Sequence, residues 1–170
     1  LHCTHTHTGP GAGVADEGRC HLFDGTAEYN ERLAESLSNV AKMAVADMVP
    51  AGLAYGRAEA KRISFVRRYR MKNGTIRTNP GVNNPDIDSP LGTPDETVQV
   101  VRIHREGKGD IAVLNFATHP DVVGGEVISG DWPAFARRTF ERAEPGISCI
   151  FFNGAQGDVN HVCTDPRPGE

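Results

Sequence analysis

The run Thr4-His5-Thr6-His7-Thr8-Gly9-Pro10-Gly11 holds the densest chemistry in the chain. In an extended backbone successive side chains alternate faces, so His5 and His7 point the same way. Two imidazoles on one strand, followed at once by a Gly-Pro-Gly turn, can meet at a single cation. Zinc accepts neutral His nitrogens and, in catalytic sites, keeps one position open for water. The run therefore predicts a metallohydrolase whose His pair rides on a strand. Cys3 shares the face of the pair, and packing beneath the site suits it better than a third ligand position.

Further candidates lie downstream. His119 ends an apolar strand just before Pro120, which holds the preceding residue extended and breaks the chain after it; a His at such a sheet mouth can complete a metal shell. The segment Asn153 to Asn160 passes from strand to loop through Gly154 and Gly157, whose lack of a Cβ lets backbone amides approach a ligand. Arg67-Arg68-Tyr69-Arg70 opens a long loop and offers cations for a substrate anion or carbonyl oxygen. His2, His21, His104 and His161 fall on other faces or in loops and read as incidental.

The elements that must position these residues follow from periodicity. After the opening strand, Asp24-Gly25-Thr26 offers N-caps for a helix along which Tyr29, Leu33, Leu37, Val40, Ala44 and Met48 recur at helical spacing, up to Pro50. Leu53 to Ile63 reads as a strand. Residues 64–96, rich in Asn, Pro, Gly and Asp, read as a long site-lining loop. Val98 to Glu106 and Ile111 to His119 predict a hairpin around Gly107-Lys108-Gly109-Asp110. A helix is expected from Trp132 to Ala143 with Asp131 as N-cap, then a strand over Ser148 to Phe152. Strands alternating with helices, with one hairpin, imply an α/β fold: a mixed β-sheet flanked by helices.

Composition narrows the function classes. The chain has 170 residues, 38% hydrophobic and 24% charged, which is ordinary for a globular domain. A net charge of -4 argues against nucleic acid as partner. No stretch reaches the length of a transmembrane segment. Of the four cysteines, Cys149 reads as buried packing, and a Cys20–Cys163 disulfide is an open pairing. The start at Leu1 and the end at Arg167-Pro168-Gly169-Glu170 read as breaks in a longer chain.

Thr4 to Gly11, Asn115-Phe116-Ala117-Thr118-His119-Pro120 and Asn153-Gly154-Ala155-Gln156-Gly157-Asp158-Val159-Asn160 occur in that order. Together with Val66-Arg67-Arg68 and Ile128-Ser129-Gly130-Asp131, they resemble the catalytic domain of the neutral/alkaline non-lysosomal ceramidase family. The resemblance covers nearly the whole chain and implies that residues 1–170 are a partial catalytic domain of a larger metallohydrolase. It implies a Zn2+ cofactor with His5 and His119 as metal ligands; the family's Glu and Tyr ligands would lie beyond Glu170. His7 and Arg67 are implied in catalysis, His7 near substrate and transition state. The implied substrate is a lipid-like N-acyl amide of the ceramide type, met through peripheral contact with a membrane surface by a secreted or periplasmic enzyme. One departure stands out: the family motif ends Gly-Asp-Val-Ser, whereas this chain has Asn160. An amide is no hydroxyl nucleophile, but it can donate to a developing oxyanion. A hydrolase for another amide or ester, and a non-catalytic ligand-binding relative, are the alternatives.

Overall fold

The computed structural model describes residues 2–10 and 26–164. The chain divides into two units, Gly9–Pro50 on the one hand and Leu1–Thr8 with Ala51–Glu170 on the other. In the first unit, helix α1 spans Thr26–Ala46, with Glu28 in its opening turn where the helix dipole favours an anion. The proposed caps Asp24 and Gly25, together with Cys20 and His21, lie outside the described residues. Among the described residues no helix is long and apolar enough to cross a membrane.

The second unit is built on a four-stranded mixed sheet. Its strands are β1 (Ala51–Glu59), β6 (Thr97–Arg105), β7 (Asp110–Phe116) and β8 (Ile147–Asn153), in the order β1-β6-β7-β8. The β6–β7 hairpin forms where turn residues interrupt the two apolar runs, with Gly107 at φ 69°. Strand β8 lies parallel to β7, and the crossover between them carries helix α2 (Asp131–Ala143). Trp132, Ala136 and Phe140 recur every four residues on one face of α2 and pack on the buried side of the sheet. There Ala112, Leu114 and Phe116 of β7 meet Ile147, Cys149 and Phe151 of β8. Trp132 stands edge-on to both Phe151 (4.9 Å between ring centres) and Phe116 (5.9 Å), a favourable aromatic geometry. Cys149 is buried packing as expected, and burial pushes its thiol pKa up, away from reactivity.

Residues 64–96 correct the sequence reading. They form short strands rather than an irregular loop: β2 (Phe65–Val66), β3 (Arg68–Met71), β4 (Ile76–Thr78) and β5 (Ile87–Pro90). The last three make a sheet in the order β4-β3-β5, and β2 pairs with β9 (Val159–Asn160). Strands of two to four residues are too short to print a period on the sequence. Only β3 carries one, with Tyr69 and Met71 buried between exposed Arg68 and Arg70. These two join Val66, Ala117 and Val159 in a second core beneath the site. The neighbouring strand also begins and ends earlier than the expected Leu53 to Ile63.

The opening segment is a second correction. Residues 2–6 have no regular structure, and His5 sits at φ 67° rather than in a strand. Its neighbours are tied at isolated points: the His7 amide donates to the Pro120 carbonyl (3.3 Å) and the Ser129 amide to the Thr8 carbonyl (3.1 Å). Cys3 is exposed, not packed beneath the pair. Asp131 is the third correction. Helix α2 starts with Gly130 in the cap position, and Asp131 sits at φ 51°. Its carboxylate does not reach forward to the usual capping amides; Oδ1 accepts from the adjacent Trp132 amide (2.6 Å) and Oδ2 from Val123 (2.8 Å).

Candidate metal centre

Two segments distant in sequence bring three imidazoles together. His5 and His7 come from the opening segment, and His119 from the end of the β7 run, where its amide donates to the Val159 carbonyl of β9 (3.1 Å). Ring centres lie 5.2 Å apart for His5–His7, 4.7 Å for His5–His119 and 5.0 Å for His7–His119. One donor nitrogen from each can be chosen so that all lie within 4.8 Å of one another. His119 is buried, while His5 and His7 are exposed, so the centre has a protein floor and an open mouth.

Threonines of the same motif hold the segment in place. The hydroxyls of Thr6 (2.9 Å) and Thr8 (3.4 Å) both donate to the Ser129 carbonyl, and Ser129 in turn stands before α2. Ser129 Oγ accepts from the Asp131 amide (3.0 Å), so the turn bearing His7 is tied to the helix start. At the other end, Asn153 Nδ2 donates to the Thr4 carbonyl (2.9 Å). The His2 ring accepts from the Asn153 amide at 2.9 Å and lies 4.8 Å from Phe152, a structural role that fits its incidental reading.

His119 Nδ1 lies 3.3 Å from the Gln156 carbonyl, an acceptor, and 3.2 Å from Arg67 Nη1, a donor, so its two neighbours favour opposite tautomers. His7 Nε2 is 3.1 Å from His119 Nε2. Two nitrogens bound to one tetrahedral zinc stand about 3.3 Å apart, from a Zn–N length of about 2.0–2.1 Å. The His7–His119 separation is close to that spacing, and the His5 donor lies within 4.8 Å of both. Partial loss of water around His5, then repulsion from His119, His7 and Arg67, pulls its pKa below the ordinary imidazole value, against a smaller upward pull from Asp121. A neutral ring is the form that ligates metal.

Arg67 borders the centre. Its Nη1 lies 3.2 Å from His119 Nδ1 and 3.3 Å from Nε2, and its amide donates to the Asp158 carbonyl (2.9 Å). Next to it Arg68 forms a bidentate pair with Asp158 (2.7 and 2.9 Å), which holds the Asp158 carboxyl below its usual pKa range. Asn160 is buried on β9, paired across from Phe65. Its Nδ2 donates to Asn79 Oδ1 (3.2 Å) and its Oδ1 accepts from the Val162 amide (3.0 Å), so this carboxamide braces the loop. The sequence reading assigns no role to Thr6, Thr8, Ser129, Gln156 and Asp121, and takes His161 as incidental. The last two adjoin recognised motifs, and that adjacency was the available signal. His161 Nδ1 lies 3.1 Å from Asp121 Oδ1.

No family model matches the sequence, and no curated protein matches it. The solved structures that match include two ceramidases. For a crystal structure of neutral ceramidase from Pseudomonas aeruginosa the TM-score is 0.56 at 17% identity, covering 87% of this chain. A ceramidase complexed with C2 gives a TM-score of 0.47 at 20% identity over 66% of this chain. The chain spans 22% of the first structure and 17% of the second. The mixed α/β arrangement described above is thus the fold of a portion of the Pseudomonas aeruginosa neutral ceramidase.

Proposed function

We propose that this chain carries the imidazole half of a zinc-dependent amidohydrolase centre, acting on the N-acyl amide of ceramide-like lipids to release a sphingoid base and a fatty acid. The observation that carries the reading is the convergence of His5, His7 and His119, with Arg67 against the buried ring. In this reading His5 and His119 hold the ion, and His7 stands beside it, toward substrate and transition state. A zinc ion there would polarise a carbonyl and bring the acidity of water toward neutrality. Arg67 is placed to donate to a carbonyl oxygen as negative charge develops on it. The Thr6–Ser129–Thr8 bonds hold the His7 turn. Such an enzyme works outside the cytoplasm and meets its substrate at a membrane surface.

A second reading, hydrolysis of another amide or ester, is favoured by Asn160. Its carboxamide is engaged by Asn79 and Val162, where the family's Ser would present a hydroxyl. The experiment measures zinc in the full-length protein and in His5→Ala and His119→Ala variants. Zinc sites with four protein donors bind with about 10–16 kcal/mol, or about 3 kcal/mol per donor. At about 1.4 kcal/mol per tenfold, each variant should lose about 100-fold or more in affinity. Wild-type zinc content in the His119→Ala protein would overturn the metal centre. Turnover of a fluorescent ceramide against simple acyl amides then separates the two hydrolase readings.

A further inference from the structure

The Asp158–Asn160 segment fixes the backbone of Arg67 relative to that of His119. The Val159 carbonyl accepts the His119 amide at 3.1 Å, and the Asp158 carbonyl accepts the Arg67 amide at 2.9 Å. Arg67 stands between two strand pairs, β2 with β9 before it and β3 with β4 after it. Its carbonyl accepts the Asn79 amide at 2.8 Å, just past the end of β4. Each of the two bonds to the Arg67 backbone carries a side-chain brace. On the Asp158 side it is the Arg68–Asp158 pair at 2.7 and 2.9 Å. On the Asn79 side it is the buried Asn160, whose Nδ2 donates to Asn79 Oδ1 at 3.2 Å. Asn160 Oδ1 accepts the Val162 amide at 3.0 Å, which fixes the way the carboxamide points. Asn79 sits at φ 48°, a left-handed conformation that Asn tolerates better than most residues.

We propose that Asn160, acting through Asn79, is a positioning residue for Arg67. It holds the Arg67 backbone so that Nη1 stays 3.2 and 3.3 Å from the two His119 ring nitrogens, facing the carbonyl oxygen of a bound substrate. The proposal rests on the amidohydrolase reading above. It gives Asn160 a task that Ser, the residue of the resembling family at this position, does not perform. A Ser hydroxyl can still accept the Val162 amide, but it ends one bond short of the atom that reaches Asn79. Holding the guanidinium in place before the reaction matters, because a displacement of about 1 Å can cost about 100-fold in rate.

The test uses the zinc-loaded full-length protein with Asn160→Ser, Asn79→Gly and the double variant. Asn79 is exposed, and Gly keeps its left-handed turn while removing the carboxamide, so this variant tests the brace even if Asn160→Ser fails to fold. Each single variant should lower kcat on an N-acyl alkyl amide about 10- to 100-fold, with KM and zinc content unchanged. That is the pattern of a weakened contact made only in the transition state. Because the two residues act through one bond, the double variant should lose no more than the larger single loss. Losses that multiply would overturn the proposal. So would wild-type kcat in Asn79→Gly, the result expected if Asn160 itself donated to the oxyanion. A second arm needs no turnover and compares crystal structures of the wild type and Asn79→Gly. The Arg67 guanidinium should lie against His119 in the first and be displaced by about 1 Å or more, or disordered, in the second. An unmoved guanidinium would also overturn the proposal, whereas a displaced one in a protein whose wild type cleaves no amide would sink the hydrolase reading alone.

Discussion

Asp131 offers a quantitative test of how the centre is anchored. It is fully buried, sits at φ 51°, and accepts one backbone amide on each oxygen, from Trp132 at 2.6 Å and Val123 at 2.8 Å. Hydrogen bonds to a charged group are each worth about 1.5–3 kcal/mol. Asp131→Asn turns one acceptor into an NH2 facing a buried backbone N–H, so it loses one such bond and sets two donors against each other. Together with the lost anion at the helix start, worth about 0.3–1 kcal/mol, the expected cost is about 2–4 kcal/mol. For a chain of this size that corresponds to about 4–16 °C in Tm. Asp131→Ala removes both bonds and places a Cβ-bearing residue without local hydrogen bonds in the left-handed region, for about 4–7 kcal/mol. The single tryptophan of the chain is Trp132, so its fluorescence reports on this junction during urea unfolding. Because Ser129 Oγ holds the Asp131 amide while its carbonyl holds Thr6 and Thr8, zinc affinity should fall as well, by about 10- to 100-fold, as for other groups that orient ligands. An Asp131→Asn protein that unfolds within about 0.5 kcal/mol of wild type would refute the reasoning.

Two further predictions concern the scaffold. Phe151→Ala should cost about 3–5 kcal/mol by urea titration, since the ring lies in the core against Trp132. Asp158 has its pKa depressed by Arg68, so the pair stabilises the fold above the unfolded carboxyl pKa of about 4 and loses that contribution as pH falls through the folded value. Both side chains are substantially exposed, which limits the effect to about 1 kcal/mol or less. Asp158→Asn should accordingly lower stability slightly at pH 7 and flatten its decline in acid; an acid limb as steep as that of wild type would contradict the assignment.

Much of the scaffold was legible in the sequence because its signals are local. The β6–β7 hairpin follows from two apolar runs separated by Gly107 to Asp110, and α2 from the four-residue recurrence of Trp132, Ala136 and Phe140. The small β4-β3-β5 sheet was hidden because pairing of such short strands depends on partners elsewhere in the chain. For the opening His pair the sequence predicts a strand, because alternation suffices to put both rings on one side. The structure reaches the same convergence differently, with His5 in a left-handed conformation and long-range bonds to Pro120 and Ser129.

The sequence by itself determined the chemical vocabulary: imidazoles at 5, 7 and 119, a guanidinium at 67, and an amide rather than a hydroxyl at 160. Those are properties of side chains wherever they fall. Tertiary structure decided which of them meet, bringing His7 Nε2 to 3.1 Å from His119 across a separation of 112 positions and setting Asp121 on His161 across 40. Metal donation and proton transfer act over a few ångströms, and a distance that short between remote residues exists only once the sheet and its connections have closed around them.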